Sequence, residues 1–165
     1  IDAWNRIANE CIKRIRTIAA DTVILVGSYD NNSAPAVPAL TVPYDDKVVY
    51  NFHCYEPLKF THQGAYWTDE IKPEERLAFD ESGINEEFFE ELFAPAIEAA
   101  KKNNTSLYCG EFGVIDVVSP EDTVKWFRTF EKHGIARCVW SYKEMDFGIS
   151  DSRLDGVRDE LIRSI

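Results

Sequence analysis

Apolar residues along this chain recur at two different periods. Trp4, Ile7, Ala8, Cys11, Ile15 and Ile18 return every three or four positions with Arg and Lys between them, which predicts an amphipathic helix over 2–18. TVILVG (22–27) is short, unbroken and β-branched, as for a strand buried on both faces. The turn-rich SYDNNSAPAVPAL (28–40) leaves little room for a full helix, and KVVYNFHCY (47–55) reads as a second strand. A long polar and aromatic loop over 56–83 separates it from the helical NEEFFEELFAPAIEAAKKN (85–103). TSLYCGEF supplies a third strand, its apolar run ending at Gly110 with Glu111 just beyond. Ser119 as N-cap with Pro120 at the first helical position starts a helix that Gly134 stops. IARCVWSY (135–142) is the fourth strand, and Leu154, Val157, Leu161 and Ile165 stripe a final helix over 153–165.

Strands that are continuously apolar and alternate with helices predict a parallel α/β sheet, either small and open or half of an eight-stranded barrel. The 165 residues, 45% hydrophobic and 13% aromatic, suffice for one domain with a sizeable core. A net charge of −11 without a basic run argues against a nucleic-acid partner. No apolar run reaches the roughly 18 residues that a membrane span requires, so no membrane partner is expected. Cys11, Cys54, Cys109 and Cys138 form no CxxC and have no His at zinc spacing. They are expected to be buried free thiols, and neither a structural metal nor a cofactor is expected.

In parallel α/β architectures, functional groups collect at the carboxyl ends of the strands. There the chain carries His53 and Tyr55 on one face of the second strand, Glu111 after the third, and Trp140 to Lys143 after the fourth. A tyrosine hydroxyl beside a carboxylate holds it ionised and oriented, as a nucleophile requires. A tryptophan offers a flat face for a sugar ring or another planar ligand. Each residue alone has a plainer reading: a satisfied histidine, a strand aromatic, a core tryptophan, a strand-end charge. Four such residues at successive strand ends favour a site. The loop over 53–67 adds Phe60, His62, Tyr66 and Trp67 as a rim, and loops of that length are uncommon unless functional.

FHCYEPLKFTHQGAYW, YCGEFG and VWSYKEMDFGISD resemble glycoside hydrolase family 5, the endoglucanase-type retaining enzymes on a (β/α)8 barrel. The opening WNRIANECIKRIRTI is similar to the helix after that family's fourth strand. The resemblance implies that Glu111 is the catalytic nucleophile, that His53 and Tyr55 are the active-site pair of strand six, and that Trp140 is the sugar-stacking tryptophan of strand eight. Trp67 and Lys143 are implied as further substrate contacts. The family's acid/base glutamate belongs to an Asn-Glu-Pro motif that this chain lacks. Asn9-Glu10 has no proline and sits within a helical stripe, so it is not read as that motif.

The expectation is therefore a single half-barrel domain over 1–165, with 1–18 as the helix after the absent strand four and 19–165 as four strand-helix units. The expected substrate is a β-1,4-glucan polysaccharide or oligosaccharide, in a secreted bacterial setting by resemblance. With the acid/base missing, activity is expected to be weak or to depend on a complementary N-terminal half-barrel, or on a homodimer. In the homodimer, the stretch from Trp140 to Glu144 of a second copy would face Glu111. The alternatives are a non-catalytic carbohydrate-binding or folding fragment, and a flavodoxin-like protein using GSYDNNS as a phosphate loop. That loop lacks the glycine pattern and a helix directly behind it.

Overall fold

The computed structural model describes every residue except Glu70, Glu144 and Met145, so the Glu144 expectation lies outside the described residues. The elements run α1 (Asp2–Arg16), β1 (Ile24–Gly27), α2 (Tyr29–Asn32), a 3-10 segment (Ala34–Ala39) and β2 (Val48–Cys54). They continue with α3 (Leu58–Thr61), a 3-10 turn (Phe79–Glu81), α4 (Glu86–Lys102), β3 (Leu107–Phe112) and α5 (Pro120–Glu131). The last are β4 (Ala136–Val139), a 3-10 turn (Ser152–Leu154) and α6 (Arg158–Arg163). The strands form one parallel sheet in the order β1-β2-β3-β4. By its contacts the chain divides into two compact units.

The first unit comprises Ile1–His53 and Glu91–Gly110. β1 pairs with β2 in the register Ile24 to Val48 through Gly27 to Asn51, and Ser33 bridges His53 beyond it. The pleat of β2 sorts its side chains: Val48, Tyr50 and Phe52 are buried, whereas Val49, Asn51 and His53 are half-buried. On the buried row, Phe52 meets Phe93 of α4 at a centroid separation of 5.5 Å. Tyr50 is polar at its tip, and that tip is satisfied by donating to the Thr41 carbonyl (2.8 Å) and accepting from Asn103 (2.8 Å). α1 is held by the buried amide of Asn5, which donates to the Ala39 carbonyl and accepts from the Thr41 N–H. At its far end Arg16 grips Asp45 through two nitrogens, at 2.5 and 3.0 Å.

One expectation fails in this unit, and one helix face stays bare. TVILVG is not buried on both faces: Val23 is 59% and Leu25 48% exposed, because β1 is an edge strand and nothing in the unit covers that row. The apolar stripe of α1 is also uncovered, with Trp4, Ile7, Cys11, Ile15 and Ile18 exposed and only Asn5 and Ile12 buried within the helix. Among the thiols, Cys54 and Cys109 are buried as expected, but Cys11 and Cys138 are exposed, and no disulfide joins any of the four. Glu10 makes a surface pair with Lys13 at 2.7 Å, in keeping with an ordinary helix-face charge.

The second unit comprises Cys54–Glu90 and Glu111–Ile165. Its core is aromatic: Phe112 stacks on Trp126 and tilts against Phe127 (4.8 Å) and Phe130 (5.1 Å), and Phe89 closes the cluster. Each such side chain contributes about 1.5–3 kcal/mol by leaving water. α5 begins as its sequence predicts, with the Ser119 hydroxyl accepting from the Asp122 N–H. The long loop is ordered by the buried Gln63, whose amide donates to the Phe60 and Leu77 carbonyls and accepts from the Leu77 N–H. The final helix is broken into a 3-10 turn and α6; Leu154 and Leu161 are buried, but Ile165 is 39% exposed at the end. Glu111 lies within β3 rather than beyond it, since the strand runs to Phe112.

Candidate active site

The chemistry in the second unit is built on the segments that follow β2 and β4 and on the last residues of β3. Gly113 follows β3 because nothing larger fits: a Cβ there would lie 2.2 Å from the Trp140 carbonyl oxygen. That approach lets the Trp140 N–H bond to the Phe112 carbonyl at 2.8 Å, which seats Trp140 beside the end of β3. Thus the glycine after Glu-Phe sets the spacing between the carboxylate strand and the tryptophan strand.

Tyr55 Oη donates to Glu111 Oε2 at 3.0 Å, and both residues are half-buried. The tyrosine is itself fixed. The Thr61 hydroxyl donates to its carbonyl, and its ring is met edge-on by His62 (5.2 Å) and Phe147 (5.7 Å). On the Tyr55 side of this pair opens a cleft of about 280 Å³ lined by Tyr55, His62, Trp67, Trp140, Asp146 and Phe147. Trp67 and Trp140 remain 47% and 43% exposed, so their faces are available to a ligand. Burial holds the His62 imidazole below its ordinary basicity and keeps it neutral. Behind the cleft wall, burial first and then the Asp146 carboxylate push the Asp116 carboxyl upward, while Arg153 opposes them.

The structure bonds Tyr55 to Glu111 and sets Tyr55, Trp67 and Trp140 in the wall of one cleft. Lys143 is exposed, three residues past Trp140. His53 is half-buried at the end of β2 in the first unit, bridged to Ser33. The sequence reading placed His62 on a rim and did not single out Asp146 or Phe147, although Phe147 touches Tyr55, His62 and Trp67. The FTHQ and MDFG stretches carried that signal, but only the folded loop shows which of their side chains enter the cleft. Among the described residues, no three His, Cys, Asp or Glu side chains are grouped to hold a metal ion, and no helix is long and apolar enough to cross a membrane.

The arrangement is a carboxylate hydrogen-bonded by a phenol, set beside an open aromatic slot. It can present an oriented anionic oxygen to a ligand whose apolar faces stack on indoles.

Comparison with known proteins bears on family and fold. The profile of the cellulase family, glycosyl hydrolase family 5, matches residues 1–146. Cellodextrinase A of Ruminococcus flavefaciens is 60% identical over 141 residues, covering 83% of this chain and 42% of that protein. Endoglucanase C of Acetivibrio thermocellus is 33% identical over 187 aligned positions, covering 96% of this chain and 54% of its own length. The chain thus spans about half the length of these curated relatives. Among solved structures, a hyperthermophilic endo-β-1,4-glucanase superposes with a TM-score of 0.76 at 28% identity, over 90% of this chain and 49% of that one. An endoglucanase at 24% identity shares the fold with a TM-score of 0.84, over 98% and 54%. The parallel α/β half-barrel that the family resemblance implied is therefore the fold observed, and the chain belongs to the cellulase family, glycosyl hydrolase family 5.

Proposed function

We propose that this chain is the nucleophile-bearing half of a retaining β-1,4-glucan hydrolase, with Glu111 as the nucleophile. The observation that carries this reading is the 3.0 Å bond from the Tyr55 hydroxyl to Glu111 beside the aromatic cleft. Glu111 attacks the anomeric carbon, the glycosidic bond breaks, and a glycosyl ester forms on the carboxylate. The Tyr55 hydroxyl orients the carboxylate for that attack. Trp140 and Trp67 stack on sugar rings, with Lys143 as a further contact, and His53 keeps the active-site role that the family resemblance implies for it. The names of the relatives, a cellodextrinase and endoglucanases, support a glucan or oligoglucan substrate, and the insolubility of such polymers suits an extracellular bacterial enzyme.

Retaining chemistry also needs a second carboxyl group about 5–5.5 Å away to protonate the leaving oxygen. In this reading that group comes from a complementary N-terminal half. The 165 residues then form one half-barrel domain, strands five to eight, whose activity alone is weak, since acid–base help is worth roughly 10²–10⁴-fold.

A substrate whose leaving group needs no proton tests the nucleophile directly. Incubated with a 2-deoxy-2-fluoro cellobioside bearing a dinitrophenolate leaving group, the chain is expected to gain one glycosyl adduct on Glu111 by peptide mass mapping. Glu111→Gln should gain none, and Tyr55→Phe should react about tenfold or more slowly, having lost a charge-assisted bond. Binding without an adduct, both alone and mixed with an N-terminal half, would leave the chain as a non-catalytic carbohydrate-binding fragment.

A further inference from the structure

We propose that His62 binds ligand in the cleft, its Nε2 accepting the hydrogen of a sugar hydroxyl in a slot otherwise walled mainly by aromatic rings. This rests on reading the cleft as a sugar site, and it adds a residue and a polarity to that reading.

The polarity follows from counting hydrogens on Thr61. Its side chain is fully buried and carries one hydroxyl hydrogen, which it donates to the Tyr55 carbonyl. His62 Nδ1 lies 2.9 Å from the same oxygen. With the threonine hydrogen already committed, Oγ1 can only accept from the imidazole, so Nδ1 carries the proton. In a neutral ring the other nitrogen then bears a lone pair and no hydrogen. Burial is what keeps the ring neutral.

The ring is not free to turn away. Phe147 lies 5.0 Å from its centroid, Tyr55 5.2 Å and Trp67 6.3 Å, and the Thr61 carbonyl is pinned by the Ile115 N–H at 2.9 Å. Thr61 therefore acts as a positioning residue that sets the tautomer, and His62 is the residue that meets the ligand. Against stacking walls that take any flat ring, a fixed acceptor selects for a hydroxyl at one place. The ligand class is a pyranose with its hydroxyl hydrogen directed at Nε2.

The chain, labelled with 15N at histidine, is titrated with cellobiose, and heat and imidazole shifts are followed together. Before ligand, His62 should show a protonated Nδ1 and a bare Nε2, and the Nε2 resonance should move on binding. His62→Phe should weaken binding about tenfold, the value of a lost hydrogen bond that leaves a hydroxyl unpaired. His62→Gln, which returns an acceptor near the same place, should stay within about threefold. The opposite tautomer, or an Nε2 resonance that stays put while heat reports binding, overturns the proposal without recourse to a variant. So does a His62→Phe that binds like the parent while Trp140→Ala loses binding. If neither variant changes binding, or the parent binds no cellobiose, the sugar-site reading falls and takes this proposal with it.

Discussion

Asp116 carries a carboxyl group that its surroundings disfavour as an anion. Burial and the nearby Asp146 push it above its ordinary value of 3.8, against the pull of Arg153. A carboxyl raised in the folded state contributes stability that is fully present below the unfolded pKa and is lost as pH rises through the folded one. At neutral pH the ionised group is therefore a cost, and Asp116→Asn should raise the melting temperature by about 2 °C. The gain should shrink to nothing near pH 3, where both forms are uncharged; a constant gain at all pH values would point to packing instead. At this scale Tyr55 and Glu111 were legible in the sequence, because a strand end places its residues by simple alternation and connection. The role proposed for His62 was not legible, because it depends on a threonine hydrogen whose direction is set only when the loop closes over Tyr55.

Among the elements, the join between β3 and β4 is the least tolerant. The Trp140 carbonyl would lie 2.2 Å from a Cβ at Gly113, so Gly113→Ala must push the two segments apart and strain the Trp140–Phe112 bond. We expect a loss of about 2–4 kcal/mol in urea unfolding, together with weaker binding in the cleft, since Trp140 moves with its backbone. Ser119→Ala is the control: it removes only the α5 cap, costs about 1 kcal/mol and leaves binding unchanged. Equal effects of the two would refute the special status of this join. α5 could be read from Ser-Pro-Glu-Asp because a cap is a local device. The final helix could not, because its break at Gly156 leaves the apolar period intact while changing which of those residues the unit covers.

For the molecule as a whole, the strand positions followed the pattern of apolar runs closely. Burial did not, because hydrophobic periodicity says which face wants covering and not whether this chain supplies the cover. In the first unit, an open groove of about 360 Å³ runs between α1 and the edge of β1, with Trp4, Cys11, Ile15 and Leu25 in its lining. An edge strand beside an uncovered apolar helix face is a template for one more strand. Since the chain spans about half of its relatives, the proposed occupant is the complementary N-terminal half. In sedimentation, mixing the two halves should give a 1:1 species and raise hydrolysis of an unactivated cello-oligosaccharide about 10²-fold or more. A self-associated chain that ignores the added half would favour a second copy as the occupant.

The exposed thiol of Cys11 gives that groove a chemical reporter. Cys54 and Cys109 are buried and should stay silent to a maleimide, whereas Cys11 and Cys138 should be alkylated quickly. If the added half seats along α1, the modification of Cys11 should slow while the protein remains folded, so occupancy of the groove can be timed by mass spectrometry, one adduct at a time.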